Sequence, residues 1–265
     1  MFPSPSHQHL RRRLLKAAGA SLLLVPGVAL ADAWRRIDAI SKTLGNGQIT
    51  QGGIDISLPL VAEDGSSVPL AISSSRPGSA ARIQKLFIFA SGNPTPEVAK
   101  FEFGPEMPTV NLATRIRLSE SQTVVVVART EDGETLLAQR DVRVTTSGCV
   151  APARADASSE MTARVRVPKT WKTGSPAEVV SMINHPMTTG LAQDATGRTP
   201  PQRIIETFQV SLDGRPLIQA TFFRSLAANP YLRFEVAPQQ SGQMRFVWTE
   251  DTGRAVEESA AVKVS

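Results

Sequence analysis

Cysteine and histidine are nearly missing from this chain. Its 265 residues include one Cys, three His and one Tyr, and aromatics make up only 5%. A single cysteine excludes an intramolecular disulfide framework, a Cys₄ or Cys₂His₂ zinc site and a paired CxxC redox centre. The scarcity of rings means that the cores are mostly aliphatic. The longest apolar stretch, Ala17 to Leu30, is broken by Gly19, Pro26 and Gly27. It is too short for a spanning helix, which needs about 20 apolar residues. No Gly-rich loop leads from a strand into a helix, so nucleotide binding has no support.

That apolar stretch follows Arg11-Arg12-Arg13-Leu14-Leu15-Lys16 and ends at Ala29-Leu30-Ala31. A basic region, an apolar region and a small-x-small site together read as an export signal over residues 1–31. The Arg-Arg-x-Leu-Leu-Lys pattern is similar to a twin-arginine signal, and an ordinary secretory signal is the alternative. Cleavage near Ala31 would place the protein in the periplasm. It also changes the charge. The whole chain carries a formal +5 and has a pI near 9.8, which on its face suggests nucleic acid or an anionic membrane. Four basic residues and no acid lie in the leader. The remainder holds 25 basic against 24 acidic residues, and neither partner is expected. His7 and His9 leave with the leader, so the mature chain has one thiol, Cys149, and one imidazole, His185.

The rest reads as all-β. A short helix is expected first, capped by Asp32, with Trp34, Ile37, Ile40 and Leu44 on one face and a stop at Gly45-Asn46-Gly47. Strands follow at 54–58, 70–73, 83–89, 101–103, 112–118, 124–128 and through Val142 and Val144. Arg115 and Arg117 alternate outward in the fifth of these. Val124 to Ala128 is continuously apolar, as in a strand buried on both faces. A second set covers 163–167, 208–212, 217–222, 231–236, 244–248 and 260–264. Ser175-Pro176-Ala177-Glu178 has the form of a helix capping box, but the β-branched run after it is short and predicts a strand. Between the sets, Thr145 to Glu160 is small, polar and weakly periodic. The chain is therefore divided into a leader (1–31), a β-sandwich (32–148), a linker (149–161) and a second β-sandwich (162–265).

Several elements resemble a known pair of families. In the first half these are Pro59 to Gly65, Val68-Pro69, Asn93-Pro94-x-Pro96 leading to Phe101, Thr114-Arg115-Ile116-Arg117-Leu118, and a last strand ending in Gly148-Cys149. In the second half they are Arg164-Val165-Arg166-Val167-Pro168, His185-Pro186-Met187-x-Thr189-Gly190 with Asp194 and Gly197, and Asn229-Pro230-Tyr231-Leu232-x-Phe234. Together they resemble the sulfur-oxidation carrier families SoxY and SoxZ, fused in one chain, of the type associated with quinoprotein dehydrogenases. The resemblance implies two immunoglobulin-like sandwiches, an exported location and a carrier rather than an enzyme. It makes Cys149 the attachment point for a covalent sulfur adduct, with no separate cofactor or metal. It implies periplasmic sulfur-oxidation enzymes, as in thiosulfate oxidation, or quinoprotein dehydrogenase components as partners. A non-catalytic docking or accessory role for an alcohol or methanol dehydrogenase is the alternative.

In the SoxY family the cysteine sits on a terminal Gly-Gly-Cys-Gly-Gly arm. Here the arm is Ser147-Gly148-Cys149-Val150-Ala151: one glycine of four is kept, and the cysteine is internal. Read as a free tether, Val144 to Cys149 reaches about 17 Å, and Cys149 to Thr162 roughly 43–47 Å. No His or Lys adjoins Cys149 to lower its pKa, which suits a carrier that leaves activation to its partners. His185, Met187, Arg115 and Arg117 are candidates for interface or support. For each there is a plainer reading: a turn residue before Pro186, a core methionine, and solvated arginines.

Overall fold

The structure, a computed structural model, describes residues 34–35, 37–44, 48–74, 82–148, 160–193 and 196–265. The expected leader, Asp32, Gly45-Asn46-Gly47, Cys149, Val150 and Asp194 lie outside these residues. Residues 33–265 form one compact unit.

The fold is β-sandwich throughout, with one short helix. The first half contains α1 (Asp38–Leu44), β1 (Ile49–Gln51), β2 (Ile54–Ser57), β3 (Val61–Asp64), β4 (Val68–Ser74), β5 (Ile83–Ala90), β6 (Glu97–Phe103), β7 (Asn111–Ile116), β8 (Gln122–Thr130) and β9 (Thr135–Thr146). The second contains β10 (Thr162–Arg166), β11 (Ala177–Asn184), β12 (Ile205–Leu212), β13 (Arg215–Phe222), β14 (Tyr231–Val236), β15 (Gly242–Glu250) and β16 (Ala255–Val262). The segment with the capping-box signature is a strand, β11. Its alternating Val179, Ser181 and Ile183 are buried, so period two prevails over the local helix signal.

Two sheets run through both halves. The larger has the order β1-β9-β8-β5-β6-β13-β12-β15-β16, and the smaller β10-β11-β14-β7-β4-β2. The halves meet twice by strand pairing. β6 is antiparallel to β13, with Phe101 opposite Ala220, and β7 is antiparallel to β14, with Ala113 opposite Arg233. Around these junctions the orders mirror each other: β9-β8-β5-β6 against β16-β15-β12-β13, and β2-β4-β7 against β10-β11-β14. The halves are thus two copies of one topology about a local two-fold. Pairing their inner strands leaves those strands no open edge, which is where a β-protein is exposed to unwanted pairing.

The core is shared as well. Phe101 meets Phe222 edge-on, and Phe222, Phe208, Phe246 and Trp248 continue the cluster of rings. Few aromatics thus suffice, because they are concentrated where the halves join. β8 is buried on both faces, as its composition predicts. Val124, Val126 and Ala128 face the main core. Val125 and Val127 face a smaller cluster made with Trp34, Ile37, Ile40 and Leu44 of the α1 region. The helix is shorter than its periodicity suggests. It begins at Asp38, whose carboxylate suits the first turn, after a tight turn at Trp34 and Arg35.

Candidate functional site

The site is built from the chain just before Cys149. β9 leaves the large sheet at its end and is taken up by β3. The two run parallel, with Val61 opposite Arg143, Ala62 opposite Val144 and Asp64 opposite Thr146. The Arg143 N–H donates to Leu60 O at 3.0 Å, and the Thr145 hydroxyl to Glu63 O at 2.8 Å. At the end of β3 the chain turns through Asp64, whose carboxylate accepts both the Ser66 N–H and the Ser66 hydroxyl. The turn presents Gly65 to the end of β9 and to Leu118. The Gly65 N–H donates to Thr146 O at 2.8 Å, Gly65 O accepts from the Leu118 N–H at 2.8 Å, and the Gly148 N–H donates to Leu118 O at 2.9 Å.

This clasp corrects the reading of residues 144–148 as a free tether. Gly148 is buried, and it is an anchor rather than part of a swinging arm. A Cβ on Gly148 would stand 1.9 Å from Gly65 O, and one on Gly65 would stand 2.3 Å from Leu118 O. Both glycines are required for close backbone approach. Cys149 itself lies outside the described residues. Covalent geometry still puts its Cα about 3.8 Å from that of Gly148.

Leu118 links the clasp to a buried polar network. Arg117, expected to face outward beside Arg115, is instead buried. The antiparallel pairing continues past β7 through a bridge of Ile116 with Leu226, and Arg117 is buried because the Pro186-Met187 segment covers it. The Arg117 guanidinium donates to Met187 O at 2.6 Å and Pro186 O at 3.0 Å, and the Arg117 backbone N–H donates to Ser225 O at 2.7 Å. Asn93 lies beside it. Its Nδ2 donates to Arg117 O and to Ser225 Oγ, and its Oδ1 accepts from the Ser119 N–H and Gln122 Nε2. Asn93 therefore ties the two halves together.

His185 and Met187 belong to the same network. Asn229, at φ 52°, accepts the His185 N–H through its side chain and donates its own N–H to His185 O. The Met187 N–H donates to His185 Nδ1 at 3.0 Å, so the proton of the neutral ring is on Nε2, which reaches Glu250 Oε1 at 2.9 Å. Burial holds the His185 pKa below its ordinary value, against the pull of Glu250. Burial would raise the Glu250 pKa, but the Thr252 hydroxyl, His185 and Arg203 outweigh it and hold the carboxyl below its usual range. Arg203 Nε stands 2.9 Å from Glu250 Oε1 without the alignment of a hydrogen bond. Met187 is fully buried at φ 50°, which is costly for a non-glycine residue. Its carbonyl is held by Arg117, its N–H by His185, and its Sδ accepts the Ile205 N–H at 3.2 Å.

Of the candidate residues, Arg117, His185 and Met187 meet in one network leading from the clasp into the second half. Arg115 stands apart on the outer face of β7, with its guanidinium over the Tyr231 ring at 5.3 Å. Gly65 was missed as a site residue. The turn Glu63-Asp64-Gly65-Ser66 marks its position in the sequence, but its partner, Gly148, is 83 residues away. No cluster of three metal-ligating side chains occurs among the described residues, and no helix there is long and apolar enough to cross a membrane.

Comparison with known proteins finds one family in each half. The family described as sulfur oxidation protein SoxY matches residues 40–149, and that described as sulphur oxidation protein SoxZ matches residues 165–261. No curated protein matches. Among solved structures, a superoxide reductase (neelaredoxin) variant from Ignicoccus hospitalis is 18% identical, over 42% of this chain and 87% of that one, with a TM-score of 0.31. A beta-glycosidase from Bacteroides vulgatus is 10% identical, over 86% of this chain and 26% of that one, with a TM-score of 0.24. Neither carries weight for function. The two families imply a role in a sulfur-oxidation carrier complex, with partners in that system, and they are carriers rather than catalytic enzymes. The chain belongs to them both: it is a SoxY domain followed by a SoxZ domain in one polypeptide.

Proposed function

We propose that this protein is a periplasmic covalent carrier. It holds a sulfur-containing intermediate on Cys149 and presents it to partner enzymes, as in thiosulfate oxidation. The observation that carries the reading is the clasp. The SoxY match ends at residue 149, and the fold uses β3, Gly65 and Leu118 to fix the backbone up to Gly148. A cysteine incidental to function needs no such support at its last upstream residue.

The clasp also bears on mechanism. Here the chain before the thiol has almost no reach of its own, so partners come to the body of the carrier. The thiol is on an internal segment, and a partner accepts a loop of two strands rather than one terminal strand. The fused SoxZ half supports the clasp through Arg117 and the Pro186-Met187 carbonyls. Nucleophilic attack uses the thiolate, and activation is left to the partner.

The test is Cys149→Ser in the host. The carrier reading expects a folded protein and lost sulfur-compound oxidation. Activity that survives the substitution contradicts it and favours an accessory role for a quinoprotein dehydrogenase.

A further inference from the structure

The two ends of the larger sheet are finished differently. In the first half the far side of β9 is covered twice. β1 pairs with its start, Ile49 opposite Thr135, and β3 with its end, Asp64 opposite Thr146. β16 is the matching strand of the second half. Its far side is covered only past its end, where the Trp171 N–H donates to Lys263 O and the Ser265 N–H to Trp171 O. Among the described residues nothing pairs with that side between Ala255 and Val262.

The ladder fixes which backbone groups face that side. On β15, Gln243 turns toward Asp213: its O accepts the Asp213 N–H at 3.0 Å, and its N–H donates to the Asp213 carboxylate at 2.8 Å. Strand residues alternate, so Met244, Phe246 and Trp248 turn toward β16, and their partners Ala260, Glu258 and Val256 turn back. Glu257, Ser259 and Ala261 therefore aim their N–H and C=O groups away from the sheet, as Lys263 does at Trp171. Their side chains are exposed, and the one charge, on Glu257, is paired with Arg245. No proline or bulge interrupts the stretch. A straight edge of this kind is a template for another strand. A groove of about 600 Å³ lies beside it, lined by Ala163, Val165, Glu258 and Ala260 among others, and leaves room for a second strand's side chains.

We propose that β16 pairs antiparallel with β16 of a second copy of this chain, about a two-fold at Ser259, so that the larger sheets of two molecules become one. The molecule joins its own halves in the same manner, by antiparallel pairing about a local two-fold at β6–β13 and β7–β14. A strand pairing with itself matches outward residues only with outward residues, so few registers exist. A two-fold at Glu257 or at Glu258 sets that carboxylate against its own copy, which is destabilising. A two-fold at Ala260 carries the ladder onto Lys263, whose edge Trp171 already holds. The two-fold at Ser259 avoids both. It places Glu257 opposite Ala261, Glu258 opposite Ala260 and Val256 opposite Val262, with no like charges directly opposed. The inference involves neither Cys149 nor what it carries.

The test is cross-linking in the Cys149→Ser protein, where an added thiol is the only one. In the proposed pair the two Ser259 Cα atoms are about 5.5 Å apart, and the two Ala255 Cα atoms roughly 27 Å apart. A short bis-maleimide should therefore join Ser259→Cys chains roughly tenfold faster than the equally exposed Ala255→Cys chains. Equal rates would mean random collision and overturn the proposal. Sedimentation of the unsubstituted protein from micromolar to millimolar concentration should show a dimer. Ser259→Pro should return it to monomer with its unfolding temperature little changed, because the N–H it removes points away from β15. Ser259→Glu, which sets a carboxylate against its own copy without touching the backbone, should do the same. A protein monomeric at every concentration, or a dimer that survives Ser259→Glu, overturns the proposal.

Discussion

Gly65 and Gly148 touch backbone to backbone, 83 residues apart in sequence, and neither leaves room for a Cβ. Replacing Gly148 with Ala should therefore break the clasp and cost about 1–3 kcal/mol, the usual range for overpacking a tight site. Thermal unfolding of Gly148→Ala checks this. The same variant should also change the rate at which Cys149 reacts with a neutral disulfide, since the residue beside it has lost its anchor. Unaltered stability together with an unaltered rate would contradict the clasp.

Arg117→Met should leave Pro186 O and Met187 O without their donor. Each buried carbonyl left unsatisfied costs about 1–3 kcal/mol. Arg117→Lys should recover only part, because one ammonium cannot reproduce a planar fork over two carbonyls. Urea unfolding of both variants measures the difference, and equal stability of Arg117→Lys and the unsubstituted protein would count against the geometry.

His185 makes stability depend on pH with a defined sign. Its pKa is below the ordinary 6.5 in the folded state, so the unfolded chain binds the proton more readily. The contribution is complete above about pH 6.5 and is lost as pH falls below it, toward the folded value. Glu250, also lowered from 4.5, adds a further loss as pH falls below that. Because the chain has only His7, His9 and His185, and the first two belong to the expected leader, the upper phase is assignable. In the chain starting at Asp32, His185→Gln should remove the phase that sets in below about pH 6.5. Its persistence would place it elsewhere.

Cutting the chain between residues 150 and 160 should not separate the halves. They share both sheets through β6–β13 and β7–β14. After cleavage at an inserted protease site, the fragments should elute as one species without denaturant. Two separate peaks would contradict the shared sheets.

The sandwich fold was legible because most strands bury one face and so alternate; β8 was legible for the opposite reason, as it is buried on both. Strand β3 was not legible. Its pattern is one buried residue, Ala62, among three exposed ones, and its role depends on pairing with β9, far along the chain. The junction of the halves was hidden for the same cause. β6 and β7 look like any half-buried strands, and nothing local says that their partners lie beyond the linker. Arg115 and Arg117 show the limit of periodicity. Two steps apart, they meet opposite environments because the Pro186-Met187 segment of the second half covers Arg117 and leaves Arg115 exposed. Cys149 was found by elimination and by resemblance, since scarcity leaves one thiol.

The most direct test of the account is the intact mass of the protein isolated from its host during growth on a reduced sulfur compound. A carrier predicts a species heavier by a sulfur or sulfonate-containing group, located on Cys149 by fragmentation and removed by reductant. A thiol that stays bare and unmodified throughout growth would contradict it.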